Sequence, residues 1–459
     1  MNRFYGEFES SNSEYKDKLK QYLKDFRKGG INRSNLPDLE TLEDIIYYCF
    51  ENENYTDALF VCDKWTKEFP DSSEAWIKKG LTLLRMNRLR ASIVCFNKAQ
   101  LLNPSDFESL IHKSSAFFEL GNLSYALLLV EKVLESDPGN EEALFNKGMI
   151  LTELYDYGAA IEIFNILLDS DEFSRDACAE LAYCFLSLED FETAKIYFER
   201  AIDYDPYDYY CWYNYGMMLS QGAKFYRAIR CFDFALSIKN DFTPALYEKG
   251  KALSALGKVK QAIESFKLSH LSSPKDIDIL LDLAHTYLEL DEFGLAFFYF
   301  NKAIKVDSKD YEPYLGRGAA YQAIFEHEKA LLDFNSALER DPFNPSIWHA
   351  KANLLTAQGR HQEANDCFYY VLKYEPTSAE NWFDYAMSFH NIDQHKKAIY
   401  CLHSALKIEP CHANAYNWLY LFYSLIDETD LAHKYLRLAY LLEPRKFADL
   451  LKQSEDKAK

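Results

Sequence analysis

The sequence predicts an all-α fold, an α-solenoid, and three observations carry that prediction. Proline stands at residues 70, 104, 138, 206, 274, 342, 376, 410 and 444, and every gap is 34 or a multiple of 34. Twelve residues before each slot of this ruler stand Ala58, Ser92, Ala126, Ala160, Ala194, Ala228, Ala262, Ala296, Ala330, Ala364, Ala398 and Ala432, alanine in all but one. Eight residues before the slot, Phe164, Phe198, Phe232, Phe266, Phe300, Phe334 and Phe368 recur in seven consecutive units. Self-similarity at a fixed length of this size marks a stack of units in which each covers its neighbour's apolar face.

A fourth position follows the same ruler. Twenty-four residues before the slot lie Gly80, Ser114, Gly148, Ala182, Gly216, Gly250, Ala284, Gly318, Ala352 and Ala386. Small side chains at a fixed place let two helices approach, and the aromatic positions fill the gap between them. A 34-residue unit with a large apolar residue at position 4, small residues at 8 and 27, aromatics at 11 and 24, alanine at 20 and proline at 32 resembles the tetratricopeptide repeat. Trp76, Trp212, Trp348 and Trp382 occupy position 4, and Phe117, Phe185, Tyr287, Tyr321 and Phe389 occupy position 11. The resemblance implies antiparallel helix pairs, A then B in each unit, stacked into a right-handed superhelix with the A helices lining its concave side.

From the N-terminus, residues 1–38 precede the array. There Tyr15, Leu19, Tyr22, Leu23 and Phe26 recur at helical spacing, which predicts a capping helix after a polar, frayed start at residues 1–13, stopped by Gly29 and Gly30. Twelve tetratricopeptide-like units then follow over 39–446: 39–72, 73–106, 107–140, 141–174, 175–208, 209–242, 243–276, 277–310, 311–344, 345–378, 379–412 and 413–446. The register has no break, so the array reads as one elongated domain. Glu172, Asn240 and Ser308 replace proline at three slots, and Pro244 and Pro313 compensate for two of them. Both prolines fall in the first turn of the next helix, where a missing N–H costs nothing. The boundary at residues 169–175 lacks proline altogether and reads as a looser joint. At the two ends, Trp65 replaces the small residue of position 27 and Tyr420 that of position 8, as fits units packed on one side only. Phe447, Leu450 and Leu451 open a closing helix over residues 447–457 that shields the last unit.

Lys and Arg number 51 against 71 Asp and Glu, a net charge of -20, and the repeats themselves carry -22. Such a surface repels phosphate backbones, which excludes nucleic acid as a partner and favours Lys- or Arg-bearing proteins. Many of the acids, among them Glu40, Glu74, Glu108, Glu142, Asp176, Asp278, Glu312 and Glu380, stand at position 2. In the first turn of a helix a carboxylate gains roughly 0.3–1 kcal/mol from the helix dipole, so these residues serve either helix stability or an acidic groove. Residues 2–20 are polar and no run approaches the length that spans a bilayer, so the expectation is a cytoplasmic protein without membrane insertion. Ten scattered cysteines with no C-x-x-C read as reduced, buried thiols.

Catalytic signatures are missing. The chain contains no G-x-x-x-x-G-K-[ST], no G-x-S-x-G and no H-E-x-x-H, so phosphate cradling, acyl transfer and zinc hydrolysis lack their usual geometry. His390 and His395 are five apart, off the one-face spacing a metal needs, and Cys401, His403, Cys411 and His412 are split between a helix and a loop. The reading is of a non-enzymatic protein with no cofactor and no metal.

Function therefore falls to the groove, where the resemblance turns positions 2, 5, 9, 12 and 13 of helix A toward a ligand. Family members that grip acidic chaperone tails place Lys, Asn and Arg there. This chain instead places Ile77, Ile111, Phe145, Tyr213 and Tyr247 at position 5 and Met149, Tyr183 and Met217 at position 9. The densest stretch is DPYDYYCWYNYGMM at 205–218, in which Trp212 and Tyr215 read as core. The candidate partner-binding residues are Phe145, Met149, Tyr183, Tyr210, Tyr213, Met217, Tyr247 and Lys251, a patch of the type binding hot spots favour. The expectation is a scaffold or adaptor holding a peptide segment or helix of another protein with apolar anchors. The alternatives are a regulatory or substrate-recruiting subunit of an enzyme or envelope-assembly complex encoded elsewhere, and structural self-association.

Overall fold

The computed structural model describes residues 11–27 and 37–457, and among these every ordered element is helical. By contact the chain divides into two compact units, Met1–Asn240 and Asp241–Lys459. The first holds α1 (Ser11–Arg27), α2 (Leu39–Glu51), α3 (Tyr55–Glu68), α4 (Ser73–Arg85), α5 (Leu89–Leu102) and α6 (Phe107–Glu119). It continues with α7 (Leu123–Ser136), α8 (Glu141–Glu153), α9 (Tyr157–Ile166), α10 (Ser174–Ser187), α11 (Phe191–Tyr204), α12 (Tyr209–Gln221) and α13 (Phe225–Ile238). The second holds α14 (Thr243–Ala255), α15 (Val259–Ser272), α16 (Ile277–Leu288), α17 (Phe293–Val306), α18 (Glu312–Ala323) and α19 (His327–Arg340). It ends with α20 (Pro345–Ala357), α21 (His361–Tyr374), α22 (Ala379–His390), α23 (His395–Ile408), α24 (Ala413–Leu425), α25 (Thr429–Leu442) and α26 (Pro444–Lys457). The solenoid is all-α, as its periodicity predicts.

Local chemistry starts and stops these helices. Two residues past the proline slot, the side chains of Ser72, Asn140, Asp276 and Ser378 accept the N–H of Ala75, Ala143, Ile279 and Asn381, which caps α4, α8, α16 and α22. At the turn from A to B, twelve residues adopt positive φ, from Glu53 to Asp427, and they recur every 34 residues. Only Gly121, Gly257 and Gly359 among them are glycine. At the first of the turns in the unit of α4, Asn87 is left-handed and Arg88 N donates to Leu83 O at 2.8 Å, so the helix ends with its last carbonyls satisfied. Chains reversed by so short a turn must run antiparallel.

Packing follows the small and aromatic positions. Phe96, Phe164, Phe232, Phe266, Phe300 and Phe334 are wholly buried, and the rings of Phe96, Phe164, Phe232, Phe266 and Phe334 press on Gly80, Gly148, Gly216, Gly250 and Gly318. Position 4 ties each loop down: the indole N–H of Trp76, Trp212, Trp348 and Trp382 donates to the carbonyl of Pro70, Pro206, Pro342 and Pro376 at 2.8–2.9 Å. Tyr416 does the same for Pro410 with its hydroxyl at 3.1 Å. Successive A helices also touch directly, α4 on α6, α6 on α8, α8 on α10 and α10 on α12 in the first unit, and α16 on α18 and α18 on α20 in the second.

The ends differ from their expectations in detail. Helix α1 begins at Ser11, inside the stretch expected to fray, while residues 1–10 and the expected stop at Gly29 and Gly30 lie outside the described residues. Leu19, Leu23 and Phe26 of α1 join Leu42, Ile45 and Trp65 in one buried cluster. Trp65 is therefore completely buried, and the large residue at its position is explained by the helix roofing it rather than by slack at a chain end. Helix α26 starts at Pro444, three residues before Phe447, because proline suits the first position of a helix. At the proline-free joint, α9 tightens into a 3-10 turn over Leu167–Asp169. Ser170 then accepts the N–H of Glu172 and Phe173 and donates to Glu141 at 2.7 Å, so the joint is tied by a serine turn rather than loose.

Candidate functional site

The A helices of the first unit carry a ladder of charges from one repeat to the next. Lys78 on α4 donates to Tyr47 on α2 at 3.1 Å and lies 3.4 Å from Glu43 and 3.6 Å from Glu108 of α6. One step on, His112 of α6 sits 3.6 Å from Glu108 and 3.7 Å from Glu142 of α8. Burial opposes the charge on Lys78, and Tyr47, Glu108 and Glu43 outweigh it and hold the ammonium above its ordinary range. Glu74 has no such cation to itself: a hydrogen bond with Glu43, then burial, push its carboxyl up to about 7. Position-2 carboxylates thus bridge consecutive helices, a role beyond the helix dipole and invisible without the stacking.

Farther along, the candidate residues divide. Phe145 and Met149 pack at the margin of the core formed by Leu144, Leu151, Phe164 and Leu181, with the Phe145 ring 5.8 Å from Phe164 and 5.4 Å from Phe173. Tyr183 and Tyr210 are the open members, 43% and 56% exposed. Tyr210 lies 6.1 Å from the half-buried Tyr213, which in turn meets Phe232 at 6.1 Å, and Met217 is half-buried. Trp212 and Tyr215 are half-buried and stacked on Phe234 at 4.6 Å and Phe198 at 5.7 Å. Beside Tyr183, burial and the charges of Asp176 and Glu153 push the half-buried Glu180 up to about 7. Burial, Tyr157, Glu153 and Tyr210 likewise raise Tyr183.

Tyr247 and Lys251 belong to the second unit. The Tyr247 ring lies 5.8 Å from Phe266 and its hydroxyl engages Asp282, while Lys251 sits 5.3 Å over that ring and pairs with Glu248 at 3.1 Å. Burial, then the bond to Asp282, raise the Tyr247 phenol above its ordinary range. A second polar recess of the same unit was not among the residues singled out from the sequence. It is a cavity of about 490 Å³ lined by Gln322, Ser346, His349, Asn353, Glu380 and Asn381. His349 Nε2 lies 2.8 Å from Asp384, whose hydrogen bond raises the imidazole, and Asn353 Nδ2 is 3.3 Å from its Nδ1. His349 and Asn353 occupy positions 5 and 9, so the ligand-facing stripe contained the signal, but their polarity set them apart from the aromatic patch.

Nine of the ten cysteines are buried, and burial pushes Cys49 up to about 12 and Cys184 up to about 11, which keeps those thiols protonated. Among the described residues no group of three or more His, Cys, Asp or Glu side chains could hold a metal ion, and no helix is long and apolar enough to cross a membrane.

Stacked helix pairs with a polar and aromatic A-helix face define a repeat solenoid of the interaction-scaffold class. Family models agree: one described as the Psidin N-terminal TPR repeats region matches residues 44–163. Two described as tetratricopeptide repeat match residues 176–208, 243–275 and 277–310, and 334–364. The chain belongs to the tetratricopeptide repeat family. A comparison with curated protein sequences finds no match. Among solved structures, a chain of the APC/C hetero-tetramer Cut9-Hcn1 aligns at 14% identity and TM-score 0.41, over 91% of this chain and 96% of its own. Yeast Tom70 aligns at 15% identity and TM-score 0.45, over 91% and 95%. A tetratricopeptide repeat protein from Parabacteroides merdae aligns at 17% identity and TM-score 0.46, over 54% and 98%.

Proposed function

We propose that this protein is a non-enzymatic adaptor whose A-helix face holds a peptide segment or helix of a partner protein. The observation that carries the reading is the pairing of open aromatic rings with an under-compensated acid: Tyr183 and Tyr210 are exposed, and on the helix of Tyr183 the carboxyl of Glu180 is raised by burial, by Asp176, which Arg175 pairs at 2.6 Å, and by Glu153. A partner with an apolar anchor and a Lys or Arg next to it would cover the rings and supply a cation to Glu180 and Glu153. The buried, protonated thiols suit a reducing compartment, which supports a cytoplasmic setting.

Affinity capture followed by mass spectrometry tests it, using the full chain and a Tyr183→Ala, Tyr210→Ala double variant. The expected result is a reproducible set of captured proteins that the variant loses while its melting curve stays nearly unmoved. Capture that the variant retains in full would sink the reading for this face. Concentration-dependent sedimentation of the chain alone would favour self-association instead.

A further inference from the structure

The side of the second unit formed by B helices carries a pocket of opposite character to the acidic A-helix face. It lies between α21 and α23, floored by α22, has a volume of about 540 Å³ and is lined by the rings of Tyr369, Trp382, Tyr385, Phe389 and Tyr400. Tyr369 and Tyr400 are 52% and 66% exposed, so the rings at its mouth face solvent. Its charged lining residues are Lys373, Lys396 and Lys397, with no acid among them. Lys397 lies 5.3 Å over Phe389, and Lys373 lies over Tyr370 and Tyr374 at 5.6 and 5.5 Å, yet among the described residues none of the three lysines pairs with a carboxylate. Asp366 is the acid that approaches the pocket, acting on Tyr385 from α21.

The repeat pattern explains why the recess is here. Trp212 stacks at 4.6 Å on Phe234, and Trp348 at 4.5 Å on Tyr370, each 22 residues downstream. The residue in that place for Trp382 is Ser404, which turns its hydroxyl to Tyr400 O. Trp382 is left with Tyr400 edge-on at 6.3 Å in place of a stacked ring. Its N–H is held by Pro376, so the indole presents a fixed apolar wall.

We infer that this pocket is a second docking site, for a peptide segment of another protein that inserts one large apolar side chain between Trp382 and Tyr400 and sets Asp or Glu residues against Lys373, Lys396 and Lys397. Charge complementarity selects that occupant: three cations without carboxylate partners, on a chain of net charge -20, surround an aromatic floor. Aromatic pockets of this kind anchor hot-spot side chains, and the lysine fringe sets which flanking residues are accepted. The two faces would then select partners of opposite charge.

A random-peptide phage library panned on the full-length chain tests this. The enriched peptides should include a class with one Phe, Trp or Leu flanked by Asp or Glu. A dye-labelled peptide of that class should lose affinity about tenfold on the Lys396→Glu, Lys397→Glu double variant. Tyr400→Ala, at an open position that leaves the core intact, should weaken it as well, while Tyr183→Ala with Tyr210→Ala should not. Enrichment of basic or neutral peptides alone, or acidic peptides that bind both pocket variants as well as the unaltered chain, overturns the proposal. So does a dimer in sedimentation that Lys396→Glu dissolves, which would make a second copy the occupant. Loss of acidic-peptide binding only in the tyrosine double variant would place that partner on the A-helix face instead.

Discussion

The ring of Phe232 lies so close to the backbone of Gly216 that a methyl group on Gly216 would stand 2.6 Å from its Cε1. Ala182, Ala284, Ala352 and Ala386 occupy the same place in other repeats and are completely buried, so a ring there can shift enough to admit one methyl. Gly216→Ala is accordingly expected to be near neutral, the strain offset by roughly 1 kcal/mol of helix propensity. Gly216→Leu should cost about 1–3 kcal/mol through overpacking. Denaturant midpoints of the two variants measure the difference, and adding Phe232→Leu to Gly216→Leu should recover part of the loss, since residues in contact do not act additively.

Ala223 is left-handed at φ 54, where a Cβ is strained by about 1 kcal/mol or more. Ala223→Gly should therefore raise stability by about 0.5–1 kcal/mol, even though it removes atoms. Gly257→Ala, at φ 69, should lower it by a similar amount. Opposite shifts of the urea midpoint are the check, and shifts of the same sign would contradict the turn geometry.

Glu74 links stability to pH. Its carboxyl is raised from 4.5 to about 7, first by the hydrogen bond with Glu43, so the folded chain holds a proton there that the unfolded chain releases. A raised carboxyl contributes its stability below pH 4.5 and loses it as the pH climbs through about 7. Glu74→Gln keeps the hydrogen bond without the titration. Melting temperatures from pH 4.5 to 8 should fall less for the variant than for the unaltered chain, the gap opening as the pH rises.

Phe26 is 1% exposed in the cluster that also buries Trp65. Phe26→Ala should cost about 3–5 kcal/mol at the start of the array and admit water to the indole. A red shift of tryptophan emission at low denaturant, absent from the unaltered chain, reports it.

How much of this was readable beforehand depends on distance along the chain. Proline at the loop, alanine at the helix crossing and phenylalanine at position 24 repeat because each meets the same neighbours in every unit, so a one-dimensional period exposes them. The left-handed turns escaped that reading: Glu53, Tyr155, Ala223, Phe325 and Asp427 share a conformation without sharing a residue type. A Schellman turn demands a backbone shape, and only some sequences meet the demand with glycine. The candidate patch was legible as a stripe of positions 2, 5 and 9. Its division into the core-bound Met149 and the open Tyr183 was not, because the two share position 9 and differ only in their neighbours.

The sequence by itself determined the all-α class, the 34-residue period and the residues at the helix crossings, since these follow from contacts made within one unit or with the next at constant spacing. Only the tertiary structure decided that Lys78 joins Glu43 to Glu108, that α1 seals Trp65, and that Ser404 leaves the Trp382 indole without a stacked ring beside three lysines. The first two depend on which side chains face each other across about one repeat, an adjacency that stacking creates and no single period encodes. The third depends on a ring missing 22 residues past Trp382, whose consequence is an open recess only in the folded array.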